Sequence, residues 1–317
     1  MSVASFLKGE HSTAFSFEVL PPLRGNSIDT LFSSVERLME YSPAYINITT
    51  HRTDVVYKEV SAGVFQRTTE RKRPGTVAIA AALKSRYGVA TVPHIICSGF
   101  TASELENELI DLSYLGITDL LVLRGDRAKG DNSFVVDNGG YSHAVELCRQ
   151  VAQFNNGKLL DAATHNGLTT PFSFGVAGYP EKHEEAMNLQ TDIEYLKAKI
   201  EAGAEYIVTQ MFFDNAKFFD FVKRCRAAGI DVPIIPGLKP LTSLTQQSLL
   251  PKTFHIDLPM ELASEFVKCK SNDDVKSLGV EWGIKQAKEL KAAGVPSIHF
   301  YSMNAVASIE QIAKSVY

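Results

Sequence analysis

The sequence predicts an α/β chain folded as one domain over residues 1–317, a (β/α)8 TIM barrel with extended loops. Three observations predict it. Eight short, β-rich apolar runs alternate with amphipathic segments of helical period. Several runs, such as those around Leu121 to Leu123 and Val232 to Ile235, are continuously hydrophobic, as parallel strands covered by helices are. A doubly wound sheet would need a phosphate-binding fingerprint after its first strand, yet Leu20-Pro21-Pro22-Leu23-Arg24-Gly25 contains no G-x-G-x-x-G.

In chain order, the β-rich runs place strands at residues 14–20, 44–49, 91–97, 119–123, 172–177, 206–210, 232–236 and 297–301. The helical period places helices at 27–41, 76–87, 103–115, 142–154, 191–202, 215–228 and 275–293. Most of these helices end in glycine, as at Gly88 and Gly203, the residue that tolerates a left-handed C′ position. Four longer connections, 51–75, 127–140, 155–171 and 238–272, hold the residues beyond a minimal barrel of about 250. Three of them follow strands, at the end where a barrel carries its active site.

Composition excludes several function classes. Lys and Arg total 32 against 36 Asp and Glu, a net charge of −4, with no basic stripe for a nucleic acid partner. The apolar stretch from Val77 to Leu83 closes at Lys84, far short of the roughly 18 residues of a membrane span. Lys8, Gly9, Glu10, His11 and Ser12 leave no room for the apolar core of a signal peptide, so a cytoplasmic protein is expected. Cys97, Cys148, Cys225 and Cys269 are dispersed without a C-x-x-C pair, which fits reduced thiols and no metal. There is no P-loop, H-E-x-x-H helix or G-x-S-x-G elbow.

The chemistry is therefore sought among polar residues at strand ends. Glu18 lies inside Phe15-Ser16-Phe17-Glu18-Val19-Leu20; it is either a desolvated general acid of raised pKa or a buried carboxylate paired with a barrel cation. Arg124-Gly125-Asp126 delivers a cation, a bare backbone and an anion together, as a ligand site or as a self-paired turn. His94, after Pro93, is more simply a satisfied interior residue than a ligand. Gln210 offers a neutral donor and acceptor suited to a planar heterocycle, or caps the loop backbone. Tyr179 and His183 present an aromatic face and an imidazole at the same rim, or form a turn into a helix. Phe212, Phe213, Phe218, Phe219 and Phe221 suit helix packing better than a ligand box. Asp192 and Lys199, about two turns apart on one helix face, would on their own be solvated.

Taken in order, Phe15-Ser16-Phe17-Glu18 with Pro21-Pro22, Pro93-His94, Leu123-Arg124-Gly125-Asp126, Tyr179-Pro180-Glu181, Thr209-Gln210-Met211-Phe212-Phe213-Asp214, Ile235-Pro236-Gly237 and His299-Phe300-Tyr301 resemble the methylenetetrahydrofolate reductase family, in its bacterial form with the catalytic barrel alone. The resemblance runs from about residue 14 to about residue 304. It implies an oxidoreductase that passes hydride from NADH or NADPH through FAD to 5,10-methylenetetrahydrofolate by a ping-pong mechanism, giving 5-methyltetrahydrofolate for methionine supply. It implies catalytic roles for Glu18, Asp126 and Gln210, with Glu18 the acid that opens the methylene bridge. It assigns FAD to Thr49, His94, Arg124, Gly125, Asp126, Tyr141, Ala177, Tyr179, His183, Ala186, Asp192 and Lys199, and the folate to Gln210 and Tyr301. Oligomeric state is left open.

The chain departs from the family in three places. Ile48-Thr49-Thr50-His51-Arg52 lacks an aromatic that relatives often carry beside the flavin, and gains a cation. Tyr195 and Ala198 stand where relatives often have Asn and Arg. Ala305 replaces an Arg placed for the folate tail, so the tail's carboxylates would need another cation; strand-end logic offers Arg52 or Lys239, and Lys239 is preferred because its loop lies beside the last strand. Ala305 also admits a second class of function, a folate-binding or regulatory barrel homologue without turnover.

Overall fold

In the computed structural model, which describes every residue except Lys129, Gly130, Asn132, Asn166, Leu168, Thr169 and Asn304, eight parallel strands close into a barrel. The strands are β1 (Ala14–Val19), β2 (Tyr45–Ile48), β3 (Asp54–Ser61), β4 (Val64–Glu70), β5 (Ala90–Ile96), β6 (Asp119–Leu123), β7 (Ser173–Gly178), β8 (Tyr206–Met211), β9 (Ile234–Leu238) and β10 (Ser297–Tyr301). Around the barrel the order is β1-β10-β9-β8-β7-β6-β5-β2, with β2 pairing back onto β1. All eight predicted barrel strands are present, with ends displaced by a residue or two.

β3 and β4 form a separate antiparallel ribbon inside the connection after β2. Two runs of β-formers around Ala62-Gly63 signal this hairpin, although the segment reads as a plain connection when only barrel units are sought. The ribbon is tied to the loop after β1: Arg24 N–H donates to Lys72 O at 2.8 Å and the Arg73 guanidinium to Pro21 O.

The helices are α1 (Val3–Lys8), α2 (Asp29–Met39), α3 (Thr76–Tyr87), α4 (Ala102–Tyr114), α5 (Ala144–Asn155), α6 (Leu189–Glu201), α7 (Asn215–Ala227), α8 (Gln246–Phe254), α9 (Met260–Phe266), α10 (Asn272–Ala292) and α11 (Val306–Val316). None is long and apolar enough to cross a membrane among the described residues. Their starts are set by local chemistry: Thr101 and Glu104 form a reciprocal capping box on α4, and Ser271 with Asp274 does the same on α10. α8 and α9 occupy the long connection after β9 and rest with Phe213 and Leu241 in a satellite apolar cluster, where Trp282 Nε1 donates to Phe213 O at 3.0 Å.

Strand alternation sorts the side chains. Phe15, Phe17 and Val19 of β1, Ile298 and Phe300 of β10, and Leu238 of β9 join the main core between barrel and helices. Ser16, Glu18, His299, Tyr301 and Gly237 therefore point into the barrel. At its lower end the interior is apolar, filled by Tyr45, Val92, Leu121, Tyr206, Val208 and Ile235 and closed by α1, whose Val3 N–H donates to Asp119 Oδ1 at 2.7 Å. An added Cβ on Gly175 would stand 2.3 Å from the Tyr206 ring, so this plug is packed to backbone contact. Phe212, Phe213, Phe218 and Phe221 are buried, as expected for packing residues.

Candidate active site

Two groups of polar side chains meet at the C-terminal mouth. The first lies at the ends of β6 and β7 and on α6. Arg124 grips Glu185 with both terminal nitrogens, Nη2 to Oε1 at 2.9 Å, and its guanidinium lies 4.6 Å from the centre of the Phe134 ring. Gly125, at φ +80°, is set against Ser98 and Ile96 so closely that a Cβ would approach them to 3.0 and 3.1 Å. Asp126 is exposed; its carbonyl accepts from Ser98 Oγ at 2.6 Å, and its carboxylate is within electrostatic reach of Tyr179 and His51.

Tyr179 and His183 meet edge to face at 4.8 Å. The His183 N–H donates to Asp192 Oδ2 at 2.9 Å, and its Nδ1 accepts from Glu185 N–H, which places the proton of the neutral ring on Nε2. Burial, then the nearby Arg124, hold this imidazole below its ordinary pKa. Asp192 is buried, which raises its pKa against the His183 N–H and Lys199. Lys199 Nζ donates to Ala177 O at 2.7 Å, and burial lowers its pKa. The pair expected on a solvated helix face is instead turned into the protein, because α6 packs that face against the end of β7. Ala186 is buried beside this group, its N–H donating to His183 O, and Tyr141 is half-buried against the core.

The second group is centred on Glu18. Only 6% exposed and flanked by main-core residues, its carboxyl is pushed up to about 8 by burial, an effect that Lys239 partly opposes. Both readings of Glu18 thus meet in one residue: it is desolvated, and a barrel cation faces it. Lys239, offered by the sequence as a cation for the substrate tail at the barrel mouth, is likewise only 6% exposed. Tyr301 donates its hydroxyl to Thr209 O, while Thr209 Oγ1 accepts from Gly237 N–H at 3.0 Å. Gln210 spends its amide oxygen on Met211 N–H at 2.9 Å, so its NH2 is the group left for a ligand. The same carbonyl accounts for the backbone-capping alternative.

Below the mouth, His94 Nε2 lies 3.2 Å from Asn47 Nδ2, and burial depresses the imidazole to about 3, so the ring is neutral. His299 is likewise held at about 3 and lies 3.1 Å through Nδ1 from Ser16 Oγ. Thr49 Oγ1 donates to Val19 O across the β1–β2 pair. Sequence reasoning missed Glu185, Phe134 and Asn47. Glu185 sits in the run Glu181-Lys182-His183-Glu184-Glu185, a cluster of charge beside a predicted ligand residue that could have drawn attention; Phe134 and Asn47 carried no such signal.

The donor set at the first group fits a dinucleotide. Arg124 Nε and Arg52 Nε are buried without a partner among the described residues, and the Lys199 ammonium uses one of its three protons on Ala177. Cations with spare donors, a glycine whose missing side chain bares the backbone, and a tyrosine ring suit a pyrophosphate and a flat ring system.

The methylenetetrahydrofolate reductase family model matches residues 3–317. The chain is 31% identical over 290 residues to 5,10-methylenetetrahydrofolate reductase of Escherichia coli, covering 91% of this chain and 86% of the relative. This chain belongs to the methylenetetrahydrofolate reductase family. It is also 31% identical over 302 residues to methylenetetrahydrofolate reductase (NADH) 1 of Arabidopsis thaliana, covering 92% of this chain and 46% of that protein, so it spans about half the length of the plant relative. Among solved structures, a Clostridium thermocellum protein described as binding two copies of 5-methyl-5,6,7,8-tetrahydrofolic acid matches over 98% of this chain and 97% of its own, with a TM-score of 0.59 at 15% identity. At that identity the likeness shows the barrel fold, and the reductase family membership rests on the sequence comparisons.

Proposed function

We propose that this chain reduces 5,10-methylenetetrahydrofolate to 5-methyltetrahydrofolate in one-carbon metabolism, with NADH or NADPH as the source of hydride and FAD as its cofactor. The observation that carries the reading is Glu18, a carboxyl at the mouth whose pKa is pushed up to about 8 and which therefore still holds its proton at neutral pH. The methylene bridge has to open to an iminium before its carbon can accept hydride. Opening needs a proton on the bridge nitrogen that leaves: Glu18 supplies it, the carbon–nitrogen electron pair stays with that nitrogen, and Glu18 is left as a carboxylate.

The remaining residues bind and orient. The Gln210 NH2 and the Tyr301 ring line the face that receives the pterin, and the same mouth receives the nicotinamide in turn, which makes the kinetics ping-pong. Arg124, Lys199 and the Gly125 backbone would hold the FAD pyrophosphate, Asp192 its hydroxyls, and Tyr179 and His183 a ring, with Thr49, His94, Tyr141, Ala177 and Ala186 completing the walls. When bound, FAD supplies a ring that takes up two electrons as hydride and gives them up again. Asp126, exposed at the rim, disfavours further negative charge beside it.

The alternative of a binding barrel without turnover is favoured by one observation: Ala305 is buried at the start of α11 and offers no cation to a folate tail. One experiment separates the two. The purified protein should be yellow, bleach with NADH or NADPH in the absence of oxygen, and regain its colour on addition of 5,10-methylenetetrahydrofolate. A flavin that bleaches but is not reoxidised by the folate would select the binding barrel.

A further inference from the structure

The register carries Lys239 to Glu18. β1 pairs Glu18 with Tyr301 of β10, and β10 pairs Phe300 with Leu238 of β9. Continuing that register by one residue sets Lys239 level with Tyr301, and hence with Glu18 two strands away. Phe17, Phe300 and Leu238 all belong to the helix-facing core, so the next residue on each strand points inward. The carboxyl, phenol and ammonium thus face one another across the barrel mouth.

Both side chains are buried, and neither has a hydrogen bond or an ion pair within 4.0 Å among the described residues. Lys239 is only 6% exposed although it follows the last residue of β9 at the barrel mouth. Burial lowers the pKa of the Lys239 ammonium, and Glu18 is the carboxyl within its electrostatic reach.

Resting on the proposed acid role of Glu18, we infer that Lys239 is a positioning residue for that proton: its ammonium sets how readily Glu18 releases the proton and balances the carboxylate that remains. The proton moves from the Glu18 carboxyl to the bridge nitrogen of the substrate, and the negative charge left on Glu18 is held opposite Lys239 until a proton returns. The other groups facing Glu18 do not compete. Tyr301, from β10, stays protonated because burial raises its pKa far above the ordinary value; Asn47, from β2, does not titrate; and His94, from β5, and His299, from β10, are held neutral by burial.

The test is an infrared titration of the flavin-loaded protein, following the protonated-carboxyl stretch that is present in the unmodified protein and missing from Glu18→Gln. Removing a nearby opposite charge typically moves a carboxyl by about 1–3 pH units. In Lys239→Met the midpoint should therefore rise by at least about one unit, and in Lys239→Arg it should stay near that of the unmodified protein. Slower proton donation should cut the folate half-reaction by about 10-fold, and its loss at high pH should move upward with the carboxyl midpoint. If Lys239→Met does not fold, Lys239→Gln carries the same expectation. An unchanged carboxyl midpoint in the neutral variants overturns the inference, and if the folate KM rises at the same time, Lys239 touches the substrate instead. The outcome is independent of the acid role: full folate reduction by Glu18→Gln would refute that role, whereas the carboxyl midpoint reads the influence of Lys239 directly.

Discussion

Replacing Glu18 by Gln should make the protein more stable and less active, and the structure fixes the size of the first effect. With its pKa at about 8 in the fold and an ordinary value of 4.5, Glu18 is about 90% protonated at pH 7, whereas the unfolded carboxyl is ionised. Between those two values the folded state binds more protons than the unfolded one, so stability falls as pH rises, by about 1.4 kcal/mol per unit, having been fully present below 4.5. From 4.5 to 7 that amounts to about 3 kcal/mol, which Glu18→Gln escapes because Gln carries no charge at any pH. Urea unfolding at several pH values from about 5 to 8 should give a difference between variant and parent that grows with pH. In stopped flow the variant should keep flavin reduction by nicotinamide and lose about 10² to 10⁴ in folate reduction, the usual cost of a missing general acid. A stability difference that is flat with pH would refute the desolvated-acid argument, and equal slowing of both half-reactions would refute the acid role.

Three further outcomes are expected. Asp126→Asn should raise the flavin midpoint potential in a redox titration and slow folate reduction, because a carboxylate at the rim opposes negative charge on its neighbours; an unchanged potential would place Asp126 away from the flavin. Lys199→Met should weaken FAD retention by about 10- to 100-fold in a fluorescence titration, the cost of one charge-assisted contact, while circular dichroism stays the same. Gly175→Ala should lose about 1–3 kcal/mol in thermal unfolding, since its Cβ would stand 2.3 Å from the Tyr206 ring; an unaltered Tm would mean that the ring moves aside freely.

The barrel was legible because its signal is repetitive: each strand is a short apolar run and each helix has a periodic face, so a single misplaced boundary does not alter the count. The hairpin at Asp54–Glu70 has a local signal in its β-formers around Ala62-Gly63, but its mostly exposed residues carry no core pattern that would distinguish it from a plain connection. α1 is too short to show helical period and is defined by what it plugs. At the site, Glu18 could be singled out because a carboxylate among Phe and Val is anomalous on its own strand. For Lys239 the strand end is readable in the sequence and the direction of the side chain is not. Its inward direction depends on the register between β9 and β10, and no pattern within Gly237-Leu238-Lys239-Pro240 distinguishes an inward lysine from an exposed one.

The β3–β4 ribbon has a consequence for how motion is distributed over the molecule. A two-stranded ribbon buries little and opens at a small fraction of the free energy that unfolds a closed barrel. Tyr57, Val60, Val64 and Phe65 on it are exposed, so its amides should exchange with solvent deuterium through local opening, while those of β1 and β2 wait for global unfolding. Its two ends nevertheless lie at the mouth, one following Thr49 to Arg52 and the other bonded through Lys72 and Arg73 to the turn just beyond Glu18. This weakly protected ribbon is thus fastened to two of the strand ends that form the site, and ligands that order those ends should slow exchange along the ribbon without touching it.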